Sequence, residues 1–279
     1  MSTLERLPDL PTEAGVAGNG RSRWPQIVLP VVVFVAGLAA WDLVVRLNGI
    51  PPYLLPGPGL VFRTLIADWA ILSESLGITL LTALEGFVAA AVGGIALAFL
   101  FSQSRWLEYS LLPYAIVLQV TPVIAIAPLM LIYLPQQTAV VVCAWIVAFF
   151  PVLANTTLGL HSVDRNLTGL FQLYGASRVQ TLLYLQLPAA LPFMLGGLRI
   201  AGGLSLIGAV AAEIAAGAAG AGSGLAYRIS ESSYRLNIPR MFAALLLLSA
   251  AGIVIYMLLA LASHLMLRRW HESALRKEN

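Results

Sequence analysis

The sequence predicts an all-α membrane protein of about six transmembrane helices, on three observations. Hydrophobic residues make up 59% of the 279-residue chain and charged residues only 10%, against the roughly one quarter typical of soluble domains. Mean hydropathy is +0.86. The apolar residues are gathered into runs long enough to cross a ~30 Å hydrocarbon core, with most of the charge confined to the segments between them.

Taken in order, Met1–Gln26 is a polar leader containing Pro and Gly, and reads as a disordered cytoplasmic tail. Ile27–Leu47 is the first span. It is too long for a cleaved signal peptide, and no small-x-small site follows it. The segment 48–78 carries Pro51, Pro52, Pro56 and Pro58, then a mildly amphipathic stretch at Val61–Leu72 that reads as an interfacial helix outside the membrane. The transmembrane core runs over 79–267, with spans expected at Thr79–Phe101, Leu111–Leu134, Thr138–Leu160, Pro192–Gly217 and Arg240–Leu267. Pro113, Pro122 and Pro128 fall in one of these, which predicts a kinked or broken helix whose freed carbonyls face protein or water. A polar loop at 161–190 interrupts the core, and 268–279 forms a second polar tail.

An even number of spans puts both termini on one side. Arg6, Arg21, Arg23, Arg105, Arg165, Arg178, Arg268, Arg269, Arg276 and Lys277 fall in one set of connecting segments, and Arg46, Arg63, Arg228, Arg235 and Arg240 in the other. The positive-inside rule makes the richer set cytoplasmic, so both ends and the loop 161–190 are expected inside.

Composition also excludes functions. The basic residues are scattered rather than striped, which argues against nucleic acid. The only lysine is Lys277, so no Gly-Lys-Ser/Thr phosphate loop exists and the chain is no P-loop ATPase by itself. Cys143 is the single cysteine, and His161, His264 and His271 lack metal-ligand spacing. No catalytic residues and no metal site are expected.

The loop has its own grammar. Asp164 is placed to cap a helix over Arg165–Tyr174, and Gly175 suits the left-handed position that ends one. Ser177 opens a second helix, with Gln180 completing an S-x-x-Q capping box. Pro188 is expected to stop that helix and Pro192 to open the next span. The product is a helix–glycine–helix elbow anchored by two spans.

At this elbow the chain resembles the membrane permeases of binding-protein-dependent ABC importers, whose loop reads E-A-A-x-x-x-G, nine residues, then I-x-L-P. Gly175 stands at the motif glycine, and Leu185-Gln186-Leu187-Pro188 at I-x-L-P. Tyr174-Gly175-Ala176-Ser177, Leu55-Pro56-Gly57-Pro58, Thr121-Pro122 with Ala127-Pro128-Leu129, Phe150-Pro151 with Asn155-Thr156, and Ala212-Glu213-Ile214 resemble the nitrate, sulfonate and taurine branch. The likeness covers roughly Pro51 to Trp270. One departure is clear: the E-A-A positions read Gly169-Leu170-Phe171, so the acidic residue is missing unless Asp164 or Gln172 replaces it.

The resemblance implies a fold and a mechanism. The fold is the MetI-like, type I permease with an EAA-type coupling loop. Two permease copies pair in the lipid bilayer, each elbow docks on an ATP-binding-cassette ATPase that holds ATP and magnesium, and a periplasmic or lipid-anchored binding protein delivers solute. The elbow residues Gly169, Tyr174, Gly175, Ala176, Ser177, Leu185, Leu187 and Pro188 would couple to the ATPase. No cofactor is bound by this chain itself.

Charged residues inside spans mark either paths or structural pairs. Glu213, among alanines, is read as a path residue or as a structural partner of Arg199 or a neighbouring helix. Glu85 is read the same way, with Thr79 and Thr82 as local partners. Together with Pro122 and Pro128 these form the candidate translocation path. Asp42 is expected to pair with Arg46 at i,i+4. The pairs Gly93-Gly94, Gly196-Gly197 and Gly202-Gly203 point to close helix packing. The cargo is expected to be a nitrate-, sulfonate- or taurine-like anion, greeted by Arg228 and Arg235, or else a heterocycle such as a thiamine-precursor pyrimidine or riboflavin. An ion-coupled carrier, which has no use for a docking elbow, is the rival.

Overall fold

The structure is a computed structural model that describes residues 24–217 and 222–268. The tails expected before residue 24 and after residue 268 lie outside the described residues. Among those described, every regular element is helical. The chain divides into two units, Met1–Gly49 and Ile50–Asn279.

In the first unit, α1 (Trp24–Leu47) includes a 20-residue apolar stretch, Val28–Leu47, long enough to cross a membrane. The expected i,i+4 ion pair forms, with Arg46 Nε 2.7 Å from Asp42 Oδ2 near the helix end.

The second unit opens with a short helix, α2 (Pro58–Ala67), whose Pro58 supplies a preset first turn. Then comes α3 (Trp69–Gln103), at 35 residues about 52 Å long and far more than a bilayer core requires. The expected span at Thr79 therefore begins ten residues earlier. Ser73, Glu74 and Ser75 lower the hydropathy there, yet none of them breaks a helix, so the rod continues past the apolar stretch.

Two helices follow, α4 (Arg105–Val120) and α5 (Val123–Tyr133), bent by 99°. The break is local chemistry. Proline 122 has no N–H to donate and drives Thr121 out of the α region, to φ −75° and ψ 123°. The Thr121 hydroxyl donates to the Val117 carbonyl at 2.6 Å, beside the Thr121 N–H that closes α4 on the same oxygen at 3.1 Å. Of the three prolines, only Pro122 breaks the rod; Pro113 and Pro128 lie within α4 and α5.

Next are α6 (Gln136–His161), the loop helices α7 (Arg165–Leu173) and α8 (Arg178–Thr181), a π-turn at Leu182–Gln186, α9 (Leu187–Ala216), α10 (Leu225–Tyr234) and α11 (Ile238–Leu267). The core is α6 laid against α3 and α9. Glycines bring these backbones together: Gly86 faces Ala144, Gly94 faces Val152, Gly159 faces Ala190, and Gly208 faces the Cys143 carbonyl. Contact partners advance together along α3 and α6, so those helices run parallel. They run in opposite order between α6 and α9, so that pair is antiparallel. Two parallel neighbours require an odd number of crossings between them. The bent α4–α5 pair is thus one span rather than a re-entrant loop, and the described residues hold six spans.

The glycine pairs act asymmetrically. Gly94, Gly197 and Gly202 are packed against Val152, Asn155 and Leu259, whereas Gly196 and Gly203 face open space. A Cβ on Gly208 would stand 2.8 Å from the Cys143 carbonyl oxygen and 2.9 Å from the Ala144 Cα. Gly208→Val should therefore force α6 and α9 apart, at about 1–3 kcal/mol or more. Gly77→Ala, at a position with nothing within 4 Å, should be neutral or gain up to ~1 kcal/mol. Thermal unfolding of the two variants in detergent checks this; equal midpoints would contradict the packing role.

Candidate functional site: the elbow and the Glu213 cluster

The elbow is built by capping. Asp164 Oδ1 accepts from Asn166 N–H at 2.8 Å and opens α7. Its end is a Schellman turn: Gly175 N–H donates to Gln172 O and Ala176 N–H to Phe171 O, both at 3.0 Å, with Gly175 at φ +69°. Ser177 and Gln180 then exchange side-chain bonds in a capping box, at 2.7 and 3.2 Å. Few backbone groups are left free to flex. The turn is stiff.

This knuckle presents apolar side chains outward. Leu173 and Tyr174 are 86% and 85% exposed, and Val179, Leu183 and Tyr184 are exposed beside them. Gly169 has open space where a side chain would stand. Asp164 is occupied as a cap, which leaves exposed Gln172 as the uncommitted polar side chain next to the missing acidic position. Leu185, Leu187 and Pro188 sit differently. They are half-buried, and Leu187 packs against the core cluster, so they root the elbow in the bundle.

Pro188 does not stop the second helix, contrary to expectation. The helical path continues from Arg178 through to Ala216, with Pro188 in the first turn of α9 and Pro192 inside it. The π-turn at Leu182–Gln186 explains this. Widening the ring locally shifts the hydrogen-bond ladder, so that a residue without an N–H and with a bulky ring fits without a break.

Glu213 lies far along α9, 4% exposed, in a second cluster. The Thr79 hydroxyl donates to it at 2.8 Å, and Ala226 N–H donates to its second oxygen at 3.1 Å. Thr79 in turn accepts from Leu225 N–H at 2.8 Å. One carboxylate and one hydroxyl thus satisfy the first free N–H groups of α10 and bind it to α3 and α9. Gly224 lies so close to the carboxylate that no side chain fits there. Of the two structural partners expected for Glu213, the neighbouring helix is the one found and not Arg199, which lies over the Tyr256 ring, 5.9 Å from its centroid.

Glu85 is corrected as well. Thr79 is committed to Glu213, and the Thr82 hydroxyl donates back to the Ile78 and Thr79 carbonyls at 3.1 Å. Glu85 points outward from α3 with no hydrogen bond or ion pair among the described residues. Glu213, buried, and Glu85, exposed, therefore face different ways, while Pro122 sets the α4–α5 bend and Pro128 lies within α5. Outside the membrane stretch, Glu231 holds both Arg228 and Arg235 at 3.0 Å, and Arg240 reaches Asp68 at 2.6 Å. The roles of α10, Thr79 and Glu231 were not visible in the sequence. The only local hint was Gly224 ahead of a Ser-rich amphipathic stretch.

Residues 90–273 match the family described as "binding-protein-dependent transport system inner membrane component". The chain belongs to this family. It is the permease subunit of an ABC transporter, and a transport protein rather than an enzyme. The permease is 33% identical to the riboflavin transport system permease protein RibX of Chloroflexus aurantiacus, over 96% of this chain and 99% of that one. It is 32% identical to the formylaminopyrimidine transport permease protein ThiX of Halalkalibacterium halodurans, over 82% and 90%. It is 30% identical to the nitrate import permease protein NrtB of Synechocystis, over 71% and 75%. Among solved structures, an amino acid ABC transporter with histidines superposes at TM-score 0.60 and 19% identity, covering 75% of the permease and 98% of that chain. The inward-facing MetNI methionine ABC transporter does so at 0.53 and 19%, covering 72% and 94%. Both share the fold, in line with the MetI-like class expected from the loop.

Proposed function

We propose that the permease works as one of two identical copies, that its elbow docks on a separate ATPase holding ATP and magnesium, and that an exported binding protein delivers the solute. Both termini and the elbow are then cytoplasmic. The observation that carries this reading is the doubly capped knuckle with Leu173, Tyr174, Val179 and Tyr184 left in the open. Large apolar side chains on a stiff projection suit an interface, since burying each is worth about 1.5–3 kcal/mol.

For cargo we infer a planar heterocycle of the riboflavin or pyrimidine kind. The arginines expected to greet an anion are neutralised by Glu231, and exposed Glu85 would repel one. The relatives at 33% and 32% identity also carry such cargo in their names, against 30% and 28% for those named for nitrate and sulfonates. The test is reconstitution with the ATPase and binding protein from the neighbouring reading frames. Tritiated riboflavin should accumulate in vesicles only with all three proteins and magnesium-ATP. Nucleotide-independent uptake by the permease alone would rule the docking reading out. Accumulation of nitrate or taurine in place of riboflavin would replace the cargo class and leave the docking intact.

A further inference from the structure

Arg199 occupies the interior of α9, twelve residues from its Leu187 end and seventeen from its Ala216 end. Against the span expected at Pro192–Gly217 it lies seven residues, about 10 Å, inside the nearer edge. A charge at that depth does not face lipid. It pairs, or it faces water.

Pairing within the chain fails. Among the described residues Arg199 has no ion pair and no hydrogen bond, and its Nε is buried without a partner. Its sole contact of this kind is the Tyr256 ring on α11. Pairing with a second copy fails as well. Gly86 on α3 and Gly208 on α9 both abut Ala144, so Glu85 lies level with Gly208, nine residues and about 13 Å from Arg199 along the helix axis. A two-fold axis along the membrane normal keeps every residue at its own depth, so the second copy's Glu85 is equally far away. Of the other carboxylates in these helices, Glu213 is committed to Thr79 and Ala226 and Asp42 to Arg46, while Glu74 and Glu108 stand in the first two turns of α3 and α4, towards the helix ends.

The surroundings of Arg199 leave room. Gly196 and Gly203, one turn before it and one after it on the same side of α9, have nothing within 4 Å of their missing side chains. Ile200 and Ile207 are exposed on that stripe. A fork of donors thus lies at the edge of a smooth open face, steadied from behind by a ring.

We propose that Arg199, braced by Tyr256, is the holding point inside the membrane for the transported solute, and that it recognises a planar group with two acceptor oxygens. A guanidinium fork matches such a group through two parallel N–H bonds, and a lysine cannot. The oxygens belong either to the carbonyls of a heterocyclic imide or to an oxyanion. This inference rests on the two-copy permease reading above.

The experiment uses the full complex of permease, ATPase and binding protein in vesicles, with tritiated riboflavin as the imide probe and nitrate and taurine as oxyanion probes. Arg199→Gln should still co-purify with the ATPase but lose on the order of ten- to a hundredfold in uptake of whichever probe the wild type carries, the range of a lost bond to a charged group. Arg199→Lys, which keeps the charge without the fork, should remain about tenfold down. Tyr256→Phe should transport normally and Tyr256→Leu should not, because the ring and not the hydroxyl braces the guanidinium. Full transport by Arg199→Gln or Arg199→Lys overturns the assignment. So does failure of Arg199→Gln to assemble combined with normal uptake by Arg199→Lys, which would make Arg199 a structural cation. A wild-type complex that takes up none of the three probes overturns the two-acceptor assignment, whereas uptake that needs no ATPase sinks the two-copy, ATP-driven reading on which it rests, so the two failures are distinguishable.

Discussion

Glu213→Leu is expected to unfold the α10 side of the molecule. The variant leaves the Thr79 hydroxyl and Ala226 N–H without acceptors and frees Thr79 to release Leu225 N–H. Each buried donor left unsatisfied costs about 1–3 kcal/mol, so two or three of them take a large share of a typical 5–15 kcal/mol stability. The thermal midpoint of the detergent-solubilised protein should fall sharply. Glu213→Gln keeps one acceptor oxygen and should lie between Leu and wild type. Its transport per folded molecule should stay near wild type, since the carboxylate is already taken up by Thr79 and the first turn of α10. A Leu variant that melts with the wild type, or a Gln variant that folds normally but cannot transport, would move Glu213 from architecture to path.

Gly175→Val should have the largest effect on coupling. The Schellman turn needs φ +69° at this position, where L residues lose about 1–2 kcal/mol and β-branched ones more. Relief of that strain would break the Gly175 and Ala176 bonds to α7 and re-aim Leu173 and Tyr174. The spans do not depend on the turn, so helical content should persist while co-purification with the ATPase and ATP-driven uptake collapse. Gly77→Ala, in open space on α3 and away from the elbow, is the control expected to behave as wild type. A Gly175→Val protein that still pulls down the ATPase and accumulates solute would remove the knuckle from the mechanism.

The elbow was legible because its signals are local. A cap at Asp164, a glycine after α7 and an S-x-x-Q box at Ser177 each act within four residues, and each formed as read. The apolar runs were legible for the same reason, since lipid imposes one requirement on every residue of a span. Local signals misled where a neighbour intervened. Pro188 reads as a stop, but a π-turn absorbed it. Ser73–Ser75 reads as a polar break before the span, yet the helix runs through it, with Ser75 buried and accepting from Arg228 Nε at 3.0 Å.

The sequence alone determined the membrane class, the positions of the spans to within a turn or a few, and the stiff knuckle between α6 and α9. These follow from periodicity, propensity and capping, which depend on residues near one another in the chain. Only the tertiary structure decided which charges are spent. Thr79 and Glu213 are 134 residues apart, and Arg240 finds Asp68 across 172. Whether a charge inside a span finds a partner is settled by whichever helix lies beside it, and no local pattern encodes that neighbour, so the exposed Glu85 and the half-buried Arg199 could not be told from Glu213 in advance.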